Sequence, residues 1–176
     1  MAGVLHRDIV PENVIVDMYV GDSGLLASSG PYRAPELFLG SKDYDSRVDT
    51  WSLGCIMAEL VAGKGVPFFS ALDGEVFKNM LQVVGAKGIV EWQGFERVAP
   101  CEKVASLRKT GRQERGNLQT MFKPKVLSAA GFKVLKGLLD SNPDRRLSAA
   151  AALSKPCWFR RRSFFGACCF MPQGGP

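Results

Sequence analysis

Three short groups of residues near the start of the chain carry side chains that could accept a proton and bind a metal ion. Asp8 and, five positions later, Asn13 belong to the first group, and Asp22 belongs to the second. A carboxylate can accept a proton from a hydroxyl group, and carboxylate and carboxamide oxygens suit Mg²⁺. The third group is Ala34-Pro35-Glu36. Each group is a weak signal alone, but their order and close spacing make the combination specific.

The three groups resemble the catalytic motifs of protein kinases. The first begins at His6 as H-R-D-x-x-x-x-N, the pattern of the catalytic loop, and the second, Asp22-Ser23-Gly24, stands where a kinase has D-F-G. The resemblance implies that Asp8 accepts the proton of a protein Ser or Thr hydroxyl, with Asn13 beside it. It also implies that Asn13 and Asp22 hold Mg²⁺. ATP and Mg²⁺ are therefore the expected cofactors, although the sequence does not identify the residues that bind the nucleotide.

Further along the chain, two motifs resemble structural motifs of the same family. Asp49-Thr50-Trp51-Ser52-Leu53-Gly54 resembles the start of the buried central helix of the kinase C-terminal lobe. In that family the aspartate bonds to the backbone of the catalytic loop, so the resemblance gives Asp49 a structural role. Asn142-Pro143-Asp144-Arg145-Arg146-Leu147 resembles a late motif whose arginine, here Arg146, pairs with the A-P-E glutamate, here Glu36.

A further resemblance concerns substrate choice. Tyr32-Arg33 directly before the third group is similar to the subgroup that contains cyclin-dependent and mitogen-activated kinases. In those kinases an arginine at the position of Arg33 favours Pro after the phosphorylated Ser or Thr. His6 and Arg7 belong to the same structural and substrate-binding set. The short activation segment has no obvious phosphoacceptor threonine for Arg7 to clamp, and Ser28 and Ser29 are weak substitutes. The chain is identified as a member of the plant-type cyclin-dependent-kinase-like Ser/Thr kinases, whose activity is phosphoryl transfer to protein Ser or Thr.

The resemblance implies a mainly α fold, namely the C-terminal lobe of the α+β protein-kinase-like fold with the N-terminal β-lobe absent. Residues 1–160 are expected to form this truncated domain, and residues 161–176 a disordered basic tail that contains cysteines. The hydrophobic pattern predicts a strand over 14–16 and helices over 46–62, 73–84, 128–139 and 148–153. The first of these helices is apolar on nearly every face, which is typical of a buried helix. Residues 86–125 lack a clear period and are predicted to be irregular and solvated.

Composition excludes several classes of function. The 176 residues carry a net charge of +6, but the basic residues are scattered without interleaved aromatic residues, so no nucleic-acid partner is expected. No apolar stretch approaches about 18 residues, so a membrane-spanning helix is not expected. His6 is the only histidine and the cysteines form no C-x-x-C pair, which excludes a zinc cluster built on that spacing. The first residues do not resemble a secretory signal, so a cytoplasmic or nuclear location is expected.

The sequence departs from the family at positions that matter for chemistry. Val10 stands where Ser/Thr kinases carry a lysine two positions after the catalytic aspartate, and Ser23 stands where D-F-G has its phenylalanine. The interval from Asn13 to Asp22 is short for the family, and so is the activation segment. No Gly-rich loop or strand lysine precedes the first motif. We therefore expect little phosphoryl transfer by this chain, because a cation that neutralises phosphate charge in the transition state is missing.

Three functions fit these observations. In the first, the chain is an enzyme by descent, a Ser/Thr kinase seen as a truncated product. In the second, it is a non-catalytic, pseudokinase-like module that binds a protein substrate or regulator through the surface around Arg33. In the third, it is a decayed kinase fragment. The sequence does not determine whether a cyclin-like protein binds. In the tail, Cys168 and Cys169 near basic residues would permit acylation and membrane contact, but an unstructured tail is the favoured interpretation.

Overall fold

The structure, a computed structural model, describes residues 5–10, 13, 30–63, 68–69, 75–100, 105–109, 116–122, 124 and 126–155. Regular structure in these ranges is helical, and none of them contains a strand. The predicted mainly α fold class is therefore confirmed. The strand predicted over 14–16, Asp22 of the D-F-G-like group and the tail from residue 161 lie outside the described residues.

The helices follow one another along the chain after a 3₁₀ turn at Gly30–Tyr32. They are α1 Pro35–Phe38, α2 Arg47–Ala62, α3 Val76–Val84, α4 Lys87–Val90, α5 Phe95–Val98, α6 105–109, α7 Leu118–Met121, α8 Ala129–Leu138 and α9 Ala149–Leu153. None of these described helices combines the length and the apolar character that crossing a bilayer requires.

Helix α2 forms the centre of the hydrophobic core, as its apolar sequence predicts. It begins one residue later than predicted and ends at Gly63, whose φ of 63° is the left-handed cap that glycine favours. Trp51 and Cys55 on this helix are completely buried. Helix α2 packs against α8, and Gly54 permits the close approach, because a Cβ at that position would lie 2.9 Å from Cδ2 of Leu139.

Serine side chains cap two of the other predicted helices. The hydroxyl of Ser128 accepts a hydrogen bond from the N–H of Gly131 at the start of α8, and Ser148 accepts one from Ala151 at the start of α9. Both helices therefore begin directly after their serines, within a residue of the predicted bounds. Helix α3 begins three positions after its predicted start and ends, as predicted, before Gly85.

The prediction that residues 86–125 are irregular and solvated is wrong for the described part of that segment. Helices α4, α5, α6 and α7 lie within it, and α4 and α5 contribute to a second hydrophobic cluster. The buried members of this cluster are Leu39, Leu81, Ala86, Ile89, Phe95 and Ala99. Because the helices of this segment are only four or five residues long, little more than one turn, no helical period could show in the sequence.

Candidate active site

The Asp8 loop, defined as residues 5–10 together with Asn13, is fastened to the start of α2. Asp49, in the first turn of α2, accepts hydrogen bonds from the backbone N–H groups of His6 and Arg7, each at 2.8 Å. Arg7 has a φ of 66°, a left-handed conformation that costs a residue with a side chain roughly 1–2 kcal/mol. One carboxylate thus holds two consecutive N–H groups of a strained loop, through hydrogen bonds strengthened by its charge.

Asp8 and Asn13 are in direct contact within this loop. Asn13 Nδ2 donates to the carboxylate Oδ2 of Asp8 at 2.7 Å and to the backbone carbonyl of Asp8 at 3.0 Å. The backbone N–H of Asn13 donates to the carbonyl of Val10 at 3.0 Å, and the N–H of Asp8 donates to Nδ1 of His6 at 3.3 Å. Since the amide NH₂ group is committed to Asp8, the carboxamide oxygen of Asn13 lies on the opposite side of the amide.

The donor types of the Asp8 loop fit magnesium, which takes oxygen ligands and is usually held by one or two carboxylates together with phosphate oxygens. Asn13 supplies a carboxamide oxygen, and Asp22, the other expected ligand, lies outside the described residues. In the part of the chain that the structure describes, no group of three or more His, Cys, Asp or Glu side chains could hold a metal ion. The described residues therefore account for one of the two expected protein ligands.

Val10, at the position where related kinases carry a lysine, is a core residue. Its side chain is 5% exposed and belongs to the main hydrophobic cluster, against which its neighbour Ile9 also packs. The apolar side chain therefore anchors the Asp8 loop by packing. A position that would place a cation near phosphate in a Ser/Thr kinase contributes to the hydrophobic core instead.

A buried ion pair joins α1 to the segment that follows α8. The two terminal nitrogens of Arg146 donate to the two carboxylate oxygens of Glu36, both at 2.7 Å, and neither side chain is more than 2% exposed. Arg146 also donates to the carbonyls of Arg47 at 3.1 Å and Asp140 at 2.9 Å, and its guanidinium lies 5.0 Å from the ring centroid of Trp51. Each guanidinium nitrogen has an acceptor, which offsets the desolvation of the buried charge.

Arg33 lies beside an aromatic pair. Its guanidinium carbon is 5.7 Å from the ring centroid of Phe38, a residue of α1, and the Phe38 ring is 5.5 Å from that of Phe77 on α3. Helices α1 and α3 are in contact, so the pair is part of the packing between them. A cation over an aromatic face is attracted by the ring, which supports the partly exposed Arg33 at this position.

Several contacts of the site were not found from the sequence. The hydroxyl of Tyr32 donates to Glu59 Oε2 at 2.7 Å, and the carbonyl of Tyr32 accepts from the hydroxyl of Ser52 at 2.9 Å. Ser52 and Glu59 lie seven positions apart, about two helical turns, on one face of α2, but this spacing does not indicate Tyr32 as their partner. The guanidinium of Arg7 lies 5.6 Å from the ring centroid of Tyr44, a contact that no sequence pattern indicates either.

Cys55 is a core side chain without the properties of a nucleophile. Burial raises the pKa of its thiol well above the ordinary value, although the positive charge of Arg146 acts in the opposite direction. The thiol is completely buried in the middle of α2. A neutral, inaccessible thiol cannot supply the thiolate that nucleophilic chemistry needs.

Comparison with known proteins gives a family match over most of the chain. A family model described as protein kinase domain matches residues 1–159. A protein of Oryza sativa subsp. japonica named as a cyclin-dependent kinase of the F-2 type is 46% identical over 90% of this chain and 51% of that protein. Cyclin-dependent kinase G-1 of Oryza sativa subsp. indica is 32% identical over 96% of this chain and 27% of that protein.

A solved structure shares the fold. A chain in the crystal structure of the yeast RNA Pol II CTD kinase CTDK-1 complex matches with a TM-score of 0.67, over 86% of this chain and 54% of that chain. The two are 23% identical, so the likeness shows the fold alone. The chain spans about half the length of the F-2 relative and a smaller part of the G-1 relative.

Proposed function

This chain belongs to the protein kinase family, in its cyclin-dependent-kinase-like group, and on that basis we propose that the Asp8 loop is the phosphoryl-transfer loop of a Ser/Thr protein kinase. The observation that carries the proposal is the 2.7 Å contact between the Asp8 carboxylate and the Asn13 carboxamide. It joins a proton acceptor to an amide on a loop whose backbone is held by Asp49. ATP and Mg²⁺ are the cofactors that the family uses in general.

In this mechanism Asp8 orients the hydroxyl of a protein Ser or Thr and accepts its proton as the phosphoryl group is transferred. Nδ2 of Asn13 holds the Asp8 carboxylate in one orientation, so the acceptor is positioned before the substrate binds. The Asn13 carboxamide oxygen and Asp22 are the groups that would hold Mg²⁺, which, when bound, neutralises charge on the phosphate oxygens. Arg33 would meet the residue after the target and favour Pro there.

We expect the chain to transfer phosphate slowly because Val10 provides no cation beside the transferred group. A positioned group that stabilises developing charge is commonly worth about 10²–10³ in kcat. Val10 cannot supply such a charge, and its burial shows that this position is used for packing. Proton transfer from the hydroxyl to Asp8 does not need the lysine. The loop therefore keeps the proton acceptor and loses the charge that stabilises the transferred phosphoryl group.

The burial of Val10 also favours a second function, that of a non-catalytic, pseudokinase-like module. In this alternative the chain binds a protein substrate or regulator without acting on it. The contact surface would lie around Arg33. The guanidinium of Arg33 lies over the ring of Phe38, which in turn contacts Phe77. Since the relatives are named as cyclin-dependent, a cyclin-like protein is a candidate regulator.

The two functions are separated by measuring phosphate transfer from Mg-ATP to a Ser-Pro peptide by the chain and by a Val10→Lys variant. If the Asp8 loop is a kinase loop limited by Val10, the variant transfers phosphate about tenfold faster or more, and adding Asp8→Asn abolishes the gain. Val10→Met is the matched control, because Met has an unbranched stem like that of Lys but no charge. Urea denaturation of each variant checks that it is folded.

Each outcome obtained with folded variants assigns the loop. A gain that Val10→Met shares, or that survives Asp8→Asn, would overturn the kinase assignment. A folded Val10→Lys chain with no gain supports the non-catalytic module. A thermal-shift titration with Mg-ATP then reports nucleotide binding directly, since a ligand at a 100-fold excess over its Kd stabilises the folded state by about 2.7 kcal/mol.

A further inference from the structure

A cleft unrelated to the Asp8 loop opens between the end of α3 and helices α4, α7 and α8. Its volume is about 380 Å³, within the range of ligand sites in proteins. Its lining includes Val83 and Leu118 on the apolar side and Lys87, Lys136 and Arg145 on the charged side. No residue of the Asp8 loop or of the segment 30–49 lines it, so the cleft is a site of its own.

The floor of the cleft is apolar and belongs to the main hydrophobic core. Val83, Leu118 and Leu139 are buried members of the core cluster, and Phe132 packs against it partly exposed. The volume accommodates one or two large side chains. An apolar side chain that enters the cleft would therefore contact apolar side chains of a core that already exists.

Two glycines of the lining are closely packed against their neighbours. A Cβ at Gly88 would lie 2.3 Å from the hydroxyl oxygen of Ser141, and a Cβ at Gly116 would lie 2.4 Å from the carbonyl carbon of Val84. Only glycine fits at these two positions of the lining. The backbone of the lining thus packs against the buried side chain of Ser141 at Gly88 and against the main chain of α3 at Gly116.

The carboxylates that line the cleft are already paired. Glu91 contacts Lys87 through Oε1 at 3.6 Å and Arg145 through Oε2 at 2.9 Å. Asp140 accepts from the backbone N–H of Asn142 at 2.9 Å through Oδ1, and its Oδ2 is 3.8 Å from Nε of Arg145. Three cations therefore face two carboxylates whose oxygens are all engaged.

Lys136 provides the remaining charge. It is exposed on α8, lines the cleft, and forms no ion pair within the described ranges. Lys87, which is also exposed, is shared with Glu91 only through a 3.6 Å contact. The cleft is thus lined both by apolar side chains of the core and by exposed cations, so one ligand in it meets both.

We propose that this cleft binds a peptide segment of a protein partner in which an apolar residue is flanked by acidic residues. The apolar side chain fills the cleft above Leu118 and Leu139, and the acidic side chains meet Lys136 and Lys87. A polynucleotide fits less well, because it offers negative charge without an aliphatic anchor and the rim carries only a small excess of positive charge.

The proposal is tested with the full chain and a fluorescein-labelled peptide of sequence Gly-Asp-Glu-Leu-Asp-Glu-Gly, by fluorescence anisotropy. Two further peptides replace Leu by Gly or the acidic residues by Lys. The leucine peptide is expected to bind, and each replacement to weaken binding about tenfold or more, because the first removes the buried anchor and the second reverses the charge. Absence of binding by the leucine peptide overturns the proposal.

Matched variants then locate the binding. Lys136→Glu is expected to raise the Kd about tenfold, whereas Lys133→Glu, an exposed lysine on the same helix outside the lining, changes it less than about twofold. Gln119→Trp, which fills the cleft from an exposed position, is expected to abolish binding, and Thr120→Trp beside it to leave binding intact. Equal effects within either pair overturn the proposal. So does a glycine peptide that binds as tightly as the leucine peptide, because binding is then by charge alone.

Discussion

The buried pair of Glu36 and Arg146 allows a quantitative prediction. Glu36→Gln keeps the shape of the side chain but leaves the guanidinium of Arg146 buried without its counter-charge. The carbonyls of Arg47 and Asp140 and the ring of Trp51 stay as partners, but none of them is charged. Removing one partner of such a pair typically costs about 3–5 kcal/mol. Since domains are stable by about 5–15 kcal/mol in total, the variant is expected to lose a large part of its stability.

Urea denaturation followed by tryptophan fluorescence measures this loss. With a denaturant dependence of about 2 kcal/mol per molar urea, a loss of 3–5 kcal/mol lowers the midpoint by about 1.5–2.5 M. The matched control is Glu75→Gln, because Glu75 pairs with Lys78 at 3.0 Å on the surface, where both side chains are more than 60% exposed. An exposed pair contributes little, so the control should change stability by less than about 1 kcal/mol.

The reasoning is refuted if Glu36→Gln costs no more than Glu75→Gln. A second variant tests the pairing itself: Arg146→Met removes the cation and leaves an apolar side chain beside Trp51. The double variant should then lose clearly less than the sum of the two single losses, because no unpaired charge stays buried. Strict additivity would show that the two side chains do not depend on one another.

Two further predictions follow from the packing and the surface charges. Gly54→Ala should lower the free energy of unfolding by about 1–2 kcal/mol, measured by urea denaturation. The added methyl overpacks against Leu139, and this cost outweighs the gain in helix propensity. A more stable variant would contradict the close packing of α2 on α8. The hydrogen bond from Arg145 is the main cause that lowers the pKa of Glu91. Ionised Glu91 therefore stabilises the folded state at pH values above its ordinary pKa of 4.5. This contribution is lost as the pH falls through the lowered pKa. The urea midpoint of the wild type should therefore be higher than that of Glu91→Gln at pH 7, and this difference in midpoint should disappear in acid. A difference that is constant with pH would show that Glu91 acts through packing.

The bounds of α2, α8 and α9 could be predicted from the sequence because their capping residues act locally. Gly63 ends α2 in a left-handed conformation, and the serines before α8 and α9 bond to backbone only three residues away. The segment around α4 and α5 could not be predicted in the same way. Its helices are about one turn long and are stabilised by tertiary contacts with Leu81 at the end of α3 and with Leu39, which lies far away in the sequence.

Some contacts of the candidate site could be predicted from the sequence, and others could not. The resemblance to kinase motifs pointed to Asp8, Asn13 and Asp49, and the structure places the first two on one loop and the third on the helix that holds it. The Tyr32–Glu59 contact spans 27 residues and depends on how the segment before α1 lies across α2, which no local pattern records. Sequence motifs thus identify contacts that belong to the motifs of the resembled family, including the Glu36–Arg146 pair far apart in the chain, whereas a contact outside those motifs needs the fold.

The geometry of the Asp8 loop and its chemistry can be lost independently. The contacts that shape the loop are backbone bonds to Asp49 and a side-chain bond between Asn13 and Asp8, and none of them involves the side chain of residue 10. Val10 adds packing to this arrangement and takes away a cation. A loop can therefore keep the shape of a phosphoryl-transfer site after its rate has fallen, because the interactions that position the acceptor are separate from the charge that stabilises the transition state. For that reason the lysine substitution at this position tests catalysis, whereas loss of Asp49 would test only whether the loop holds its shape.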